Sequence, residues 1–214
     1  MKRHPFFIIT LSLVLFLYGC SSKHPRDLNI YLDNSSSAWN KYQQPYHDIV
    51  AGAVHQMAGD EPHVRIYVFT NAPHIIFDNT VQDESYVWAT IKGFIDKNGA
   101  SKERGTYFIP VITQIQKDCQ ANPGHDQICL VLSDLEVDDP GTKNSATENP
   151  KITASIQALT GVKNVPLCFF GPGSDTAGVR DVWKNIYIKP LAKKAFLGGP
   201  QDWATSLEEM YNTL

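Results

Sequence analysis

The chain has 214 residues, of which 43% are hydrophobic and 19% are charged, and its formal net charge is −3. This length and composition suit one globular domain of ordinary size with a substantial apolar core. The slightly acidic balance, with no basic patch in the sequence, argues against nucleic acid as a partner.

The N-terminus has the pattern of an export signal. Lys2 and Arg3 precede an apolar run over 6–17, which is too short for a typical transmembrane helix. The run ends in Leu17-Tyr18-Gly19-Cys20, which resembles the lipobox of bacterial lipoproteins. The resemblance implies a signal peptide over 1–19, a lipid on Cys20 and an anchor in the bacterial envelope, with Ser21 favouring the outer membrane and a domain that faces the periplasm. An ordinary cleaved signal with a chance cysteine is the alternative.

The rest of the sequence alternates predicted strands and helices. A polar tether over 20–27 leads into one domain over 28–214. Strands are predicted over 28–33, 64–70, 74–77 (an edge strand), 127–133 and 165–170. Helices are predicted from Pro45 to about Met57, over 84–96, after Thr106, and over 152–159, 179–196 and 202–211, and residues 135–150 are predicted to form a loop too polar to pack. The alternation predicts an α/β fold with a doubly wound, mainly parallel sheet and helices on both faces.

The run Asp33-Asn34-Ser35-Ser36-Ser37 reads as D-x-S-x-S at the end of the first predicted strand. Asp33, Ser35 and Ser37 offer a carboxylate and two hydroxyls, which are hard oxygen ligands suited to an ion like magnesium. The alternative for the serines is a turn that caps a helix.

With this motif, the chain resembles a von Willebrand factor A domain that carries a metal-ion-dependent adhesion site, in a Rossmann-like fold. In that family a threonine before a later helix and an aspartate after the fourth strand complete the site, and Thr106 and Asp134 fill those positions here. The resemblance implies a Mg²⁺ or Mn²⁺ ion whose open position takes a carboxylate from a protein partner. The implied ligand set is Asp33, Ser35, Ser37, Thr106 and Asp134. Thr106 as a helix N-cap and Asp134 as a strand-end cap are the plainer alternatives.

Two departures from the family pattern concern the segment after Asp134, namely the residue at the next position and the length of the loop over 136–148. The family usually has glycine at the next position, whereas this chain has Leu135 followed by Glu136. Glu136 is either a substitute ligand or part of an acidic loop. Because Asp33 and Ser35 are predicted to lie in a loop, replacing either with alanine is expected to abolish metal-dependent partner binding and leave the fold cooperative.

Three cysteines lie within the predicted domain, in a compartment that permits disulfides. Cys119 and Cys129 are expected to pair across the turn at Asn122-Pro123-Gly124, which leaves Cys168 reduced. A Cys129–Cys168 pair, or three free thiols, are the alternatives.

The function expected from the sequence is that of a membrane-anchored binding module of an envelope or secretion assembly, and not of an enzyme. A metal-dependent hydrolase that uses the same crevice is the first alternative, with Glu136 or Asp138 as its base. A structural lipoprotein with a vestigial site is the second.

Overall fold

The computed structural model describes residues 25–57, 61–81, 83–101 and 105–213. The expected signal peptide, the lipidated Cys20 and most of the tether lie outside the described residues. Across these four ranges no helix combines the length and apolarity needed to cross a lipid bilayer.

A twisted sheet forms the centre of the domain. In the described ranges its strands are β1 (Arg26–Asp33), β2 (His63–Phe69), β3 (His74–Thr80), β4 (Asp126–Ser133), β5 (Leu167–Pro172) and β6 (Ala195–Leu197). They lie in the order β3-β2-β1-β4-β5-β6. Only the edge strand β3 is antiparallel to its neighbour among these pairings, so the predicted doubly wound, mainly parallel α/β fold is confirmed.

Helices cover both faces of the sheet. They are α1 (Ser36–Met57), α2 (Glu84–Asn98), α3 (Phe108–Ala121), α4 (Pro150–Leu159), α5 (Ala177–Val182) and α6 (Trp203–Tyr211). Successive side chains of a strand point to opposite faces, and β1 accordingly supplies two cores. Leu28, Ile30 and Leu32 pack with α1, α2 and α6, whereas Tyr31 packs with α3 and α4. A nearly continuous apolar run of this kind is expected for a central strand that is buried on both faces.

Helix α1 begins at Ser36, so the prediction that Pro45 starts this helix was wrong. Pro45 lies inside α1, and Tyr42 leaves helical geometry with φ −120° and ψ 15°. Proline lacks an N–H, and its ring crowds the carbonyl four residues earlier, which kinks a helix that tertiary packing holds in place. The consequence is that α1 starts directly at the D-x-S-x-S segment.

The predicted helix over 179–196 was also wrong. Helix α5 passes into a π-helical turn (Trp183–Tyr187) and a 3₁₀ helix (Lys189–Lys194), and β6 follows. Ala192 has a φ of 50°, a left-handed conformation that ends the helical path. The chain then returns to the sheet, where Ala195–Leu197 pairs with β5.

The structure differs from the predicted disulfide, because Cys119, Cys129 and Cys168 are all free and buried. Cys129 and Cys168 are directly opposite each other on β4 and β5. Burial raises the pKa of the Cys129 thiol, which also contacts the thiols of Cys119 and Cys168. The three side chains therefore pack in the core, as free cysteines commonly do.

Candidate metal centre

The candidate site lies at the carboxyl edge of the sheet, between its two central strands. Asp33 ends β1, and Asp134 directly follows the neighbouring strand β4. From β1 the chain proceeds through α1 to β2 on one side, and from β4 it proceeds through α4 to β5 on the other. In open α/β sheets ligands bind in the crevice at such a switch in strand order.

Asp33 is the hub of the site and is fully buried. Its Oδ1 accepts a hydrogen bond from the Ser35 N–H at 2.8 Å, and its Oδ2 accepts from Ser133 Oγ at 2.7 Å and Thr106 Oγ1 at 3.3 Å. Burial raises the pKa of Asp33, although these hydrogen bonds act in the opposite direction. Alanine at this position was expected to leave the fold cooperative. These contacts do not fit that expectation, because Asp33→Ala removes the acceptor of three buried hydrogen-bond donors.

Ser35, Ser37 and Asp134 continue the network from Asp33. Ser35 Oγ lies 3.2 Å from Ser37 Oγ, and Ser37 hydrogen-bonds to the Asp134 carboxylate. Asp134 is 8% exposed, and burial together with the charge of Asp33 raises its pKa to about 6. Ser35 is also buried, whereas Ser37 is exposed and opens the network to solvent.

Thr106 reaches the same crevice from the loop before α3. Its N–H donates to Asp138 Oδ2 at 3.0 Å, and its carbonyl accepts from the Asp138 N–H at 3.0 Å. Gly105 has a φ of +99°, and a Cβ there would lie 3.2 Å from the Cβ of Asp138. Asp138 thus fixes the position of the loop before α3. In this position the Thr106 hydroxyl points at Asp33.

The segment 135–149 packs through Leu135, Val137, Asp139 and Asn149, which are buried, so the prediction of a loop too polar to pack was wrong for these positions, whereas most of the rest of the segment is exposed. Its Asp139 is 1% exposed and accepts hydrogen bonds from the N–H groups of Phe108 at 2.6 Å and Ile109 at 2.9 Å. These are the first N–H groups of α3, which have no partner within a helix. The positive end of the helix dipole also stabilises a carboxylate at that position. The acidic loop therefore caps α3 from outside and fixes the Thr106 loop.

Leu135 occupies the position where the resembling family usually has glycine, and its φ is +63°. This left-handed conformation is costly for a residue with a Cβ. Burial and one hydrogen bond stabilise this conformation. The Leu135 side chain is fully buried, and the Leu135 carbonyl accepts a hydrogen bond from Trp183 Nε1 at 3.0 Å. Next to it Glu136 accepts from Ser174 Oγ at 2.8 Å.

We expect Leu135→Gly to destabilise the protein less than Leu135→Ala. Both variants lose a buried side chain, which costs about 2–5 kcal/mol. Only glycine relieves the left-handed backbone, which is worth about 1 kcal/mol. Urea unfolding of the two variants measures the difference. A glycine variant less stable than the alanine variant, the usual order elsewhere in proteins, would contradict the strain at this position.

No protein-family profile and no curated protein matches this sequence, but solved structures do. Proximal thread matrix protein 1 from the mussel byssus aligns with a TM-score of 0.57 and 14% identity over 87% of this chain and 47% of its own, so this chain spans about half its length. The manganese-loaded TRAP protein of Plasmodium vivax aligns with 0.57 and 11% over 87% and 72%. The vWF domain of the type V pili tip protein Mfa5 from Porphyromonas gingivalis aligns with 0.60 and 11% over 88% and 94%. This chain has the von Willebrand factor A (vWA) fold.

The vWA fold brings all five residues predicted for the site into one hydrogen-bonded network. Their oxygen atoms suit a small, hard divalent cation. Burial raises the pKa of both carboxylates, and the charge of Asp33 further raises the pKa of Asp134, an effect that a cation between them would offset. No group of three or more acidic, histidine or cysteine side chains with metal-site geometry occurs among the described residues. A site at this edge therefore depends on its serine and threonine hydroxyls.

Sequence reasoning missed three residues around the vWA crevice. Ser133 donates to Asp33 and accepts from the Leu135 N–H at 3.0 Å, and its position at the end of a predicted strand beside Asp134 was the available signal. Tyr42 and Tyr46 of α1 have buried hydroxyls behind the crevice. Tyr42 was not assigned there because α1 was predicted to begin only at Pro45, and Tyr46 was not assigned there because no local sequence signal relates it to the D-x-S-x-S segment.

Proposed function

We propose that this vWA domain binds Mg²⁺ or Mn²⁺ and presents the ion to a carboxylate on a protein partner. The observation that carries the proposal is the joining of Asp33, Ser35, Ser37, Thr106 and Asp134 in one network at the switch point of the sheet. The manganese-loaded state of the similarly folded TRAP protein supports a divalent ion in such a domain.

Each residue has a distinct part in holding the ion. The hydroxyls of Ser35, Ser37 and Thr106 are neutral ligands, and the carboxylates of Asp33 and Asp134 balance the charge. Because few anions face it, the bound ion would act as a Lewis acid toward an incoming carboxylate. Ser133 and the Ser35 N–H keep the Asp33 carboxylate oriented, which pre-organises the site.

We propose a binding role and not a catalytic one. The two carboxylates considered as bases for hydrolysis are both engaged in the framework of the site. Glu136 accepts from Ser174 Oγ, and Asp138 accepts from the Thr106 N–H while its own N–H donates to the Thr106 carbonyl. A carboxylate that fixes the loop geometry is poorly placed to take a proton from a water at the ion.

We further propose that the domain is a lipoprotein anchored through Cys20 in the bacterial outer membrane and facing the periplasm. The geometry of the described residues supports this arrangement. The tether enters β1 at Arg26, and the metal centre lies at the opposite end of the same strand, about 25 Å away at 3.3 Å per residue. An anchor at one edge of the sheet would thus direct the metal centre away from the lipid.

Capture of the partner from an envelope fraction tests the proposed function. The wild-type chain should retain a partner in Mg²⁺ and release it in EDTA. The Ser37→Ala variant should retain none in either buffer, and the neighbouring exposed Ser36→Ala should behave as the wild type. The proposal would be contradicted if the wild type retained the partner equally in Mg²⁺ and in EDTA, and if Ser37→Ala retained it as well as the wild type does.

A further inference from the structure

A buried tyrosine hydroxyl lies unpaired behind the proposed metal centre. Tyr46 of α1 is 0% exposed, and its Oη has no hydrogen-bond partner in the described chain. An unmade hydrogen bond in the interior costs much of the desolvation of the group, so buried hydroxyls are nearly always paired. Phenylalanine would fill the same space without this unpaired group, so the surroundings of the hydroxyl decide whether it has a role.

The position of Tyr46 points to the site as the reason. The buried face of α1 carries Trp39, Tyr42 and Tyr46, and the rings of Trp39 and Tyr42 each lie 6.3 Å from that of Tyr46. Side chains on a helix lean toward its N-terminus. The N-terminus of α1 is the segment that carries Ser37, so Tyr46 leans back toward the crevice.

The charges of the site act on Tyr46. Burial raises the pKa of the Tyr46 hydroxyl, and the next contributions come from the charges of Asp33 and Asp134, followed by Tyr42. The hydroxyl is thus within electrostatic reach of both carboxylates of the site. A phenolic O–H near two carboxylates is most favourable with its hydrogen directed at their side.

We propose that Tyr46 is a positioning residue of the metal site, whose hydroxyl donates a hydrogen bond into the oxygen shell of the bound ion on the side of Asp33 and Asp134. The inference rests on the proposed function and adds a residue to it. Packing against Trp39 and Tyr42 fixes the ring, so little ordering is needed when the hydrogen bond forms. Outer-shell donors of this kind orient the groups around an ion and commonly change affinity by tenfold or more.

The test compares Tyr46→Phe with Tyr211→Phe in the full chain. Both substitutions remove one buried hydroxyl that lacks a described partner. Tyr211 lies in α6, and a Cβ added at Gly52 would be 3.6 Å from its Oη. Because Gly52 lies far along α1 from Ser37, Tyr211 serves as a control away from the site. Mn²⁺ affinity, measured by electron paramagnetic resonance of the free ion, should fall about tenfold in Tyr46→Phe. It should be unchanged in Tyr211→Phe.

Two further readouts separate positioning from a structural role. The unfolding midpoint of the metal-free Tyr46→Phe protein should equal or exceed that of the wild type, because an unpaired hydroxyl has been removed. Addition of Mn²⁺ should shift the near-ultraviolet tyrosine absorption of the wild type and Tyr211→Phe but not of Tyr46→Phe. Equal Mn²⁺ affinity in Tyr46→Phe and the wild type overturns this inference and leaves the metal site standing. A wild-type chain that binds no Mn²⁺ overturns both.

Discussion

Replacing Ser37 with alanine should remove metal binding without affecting the stability of the fold. Ser37 is exposed, so the loss of its hydroxyl should change the free energy of unfolding by no more than about 0.5 kcal/mol. The same hydroxyl links Ser35 to Asp134 and faces the crevice. Loss of a direct oxygen ligand should weaken Mn²⁺ binding by at least about a hundredfold, beyond the effect of an outer-shell change. Calorimetric titration and urea unfolding of the same preparation give the two quantities.

Ser36→Ala is the matched control for this prediction. Ser36 is the adjacent exposed serine, and its side chain makes no hydrogen bond to the site network within the described ranges. The control should bind Mn²⁺ as the wild type does. Asp33→Ala is a poorer probe, because it removes a buried hub along with a ligand and should destabilise the fold as well. Equal losses of affinity in Ser36→Ala and Ser37→Ala would refute the assignment of Ser37.

Replacing Asp139 with alanine should destabilise the protein and weaken the metal site at a distance. Asp139 pairs two N–H groups at the start of α3, and losing a cap of this kind costs about 1–2 kcal/mol, with a further penalty for burial. The loop that carries Asp139 also holds Thr106 through Asp138. Affinity for Mn²⁺ should therefore fall together with stability, although Asp139 is not a ligand.

A graded series makes the Asp139 prediction specific. Asp139→Asn keeps one acceptor oxygen and should lose about half as much stability as Asp139→Ala. Glu148→Ala changes an exposed carboxylate in the same loop and should stay within about 0.5 kcal/mol of the wild type. Chemical denaturation of the three variants decides the matter, and a loss in Glu148→Ala as large as in Asp139→Ala would show that loop charge, and not capping, is responsible.

The sheet and the site motif were predictable because their signals are local. Apolar runs such as 127–133 indicate a strand buried on both faces, and Asn98-Gly99 correctly marks the end of α2. The D-x-S-x-S segment follows β1, and the family resemblance assigned Asp134 to the same site. The structure brings the two together because β1 and β4 are parallel neighbours.

The supports of the site were not predictable because they depend on tertiary contacts. Asp139 is a charged loop residue in the sequence, and nothing local shows that α3 needs it as a cap. Pro45 is typical of a helix start, yet packing of the Tyr42 and Tyr46 face holds a kinked helix through it. Leu135 departs from the family pattern, and only its burial and the Trp183 contact explain how a leucine is kept at a positive φ.

Direct titration of the full-length, EDTA-treated chain with Mn²⁺ tests the metal centre most directly. We expect one Mn²⁺ ion per chain, displaced by excess Mg²⁺, with tighter binding of manganese as the order of divalent metals requires. Saturation should also raise the unfolding midpoint as binding to the native state increases. A chain that takes up neither ion at millimolar concentration would rule out the metal centre and leave only the vWA fold.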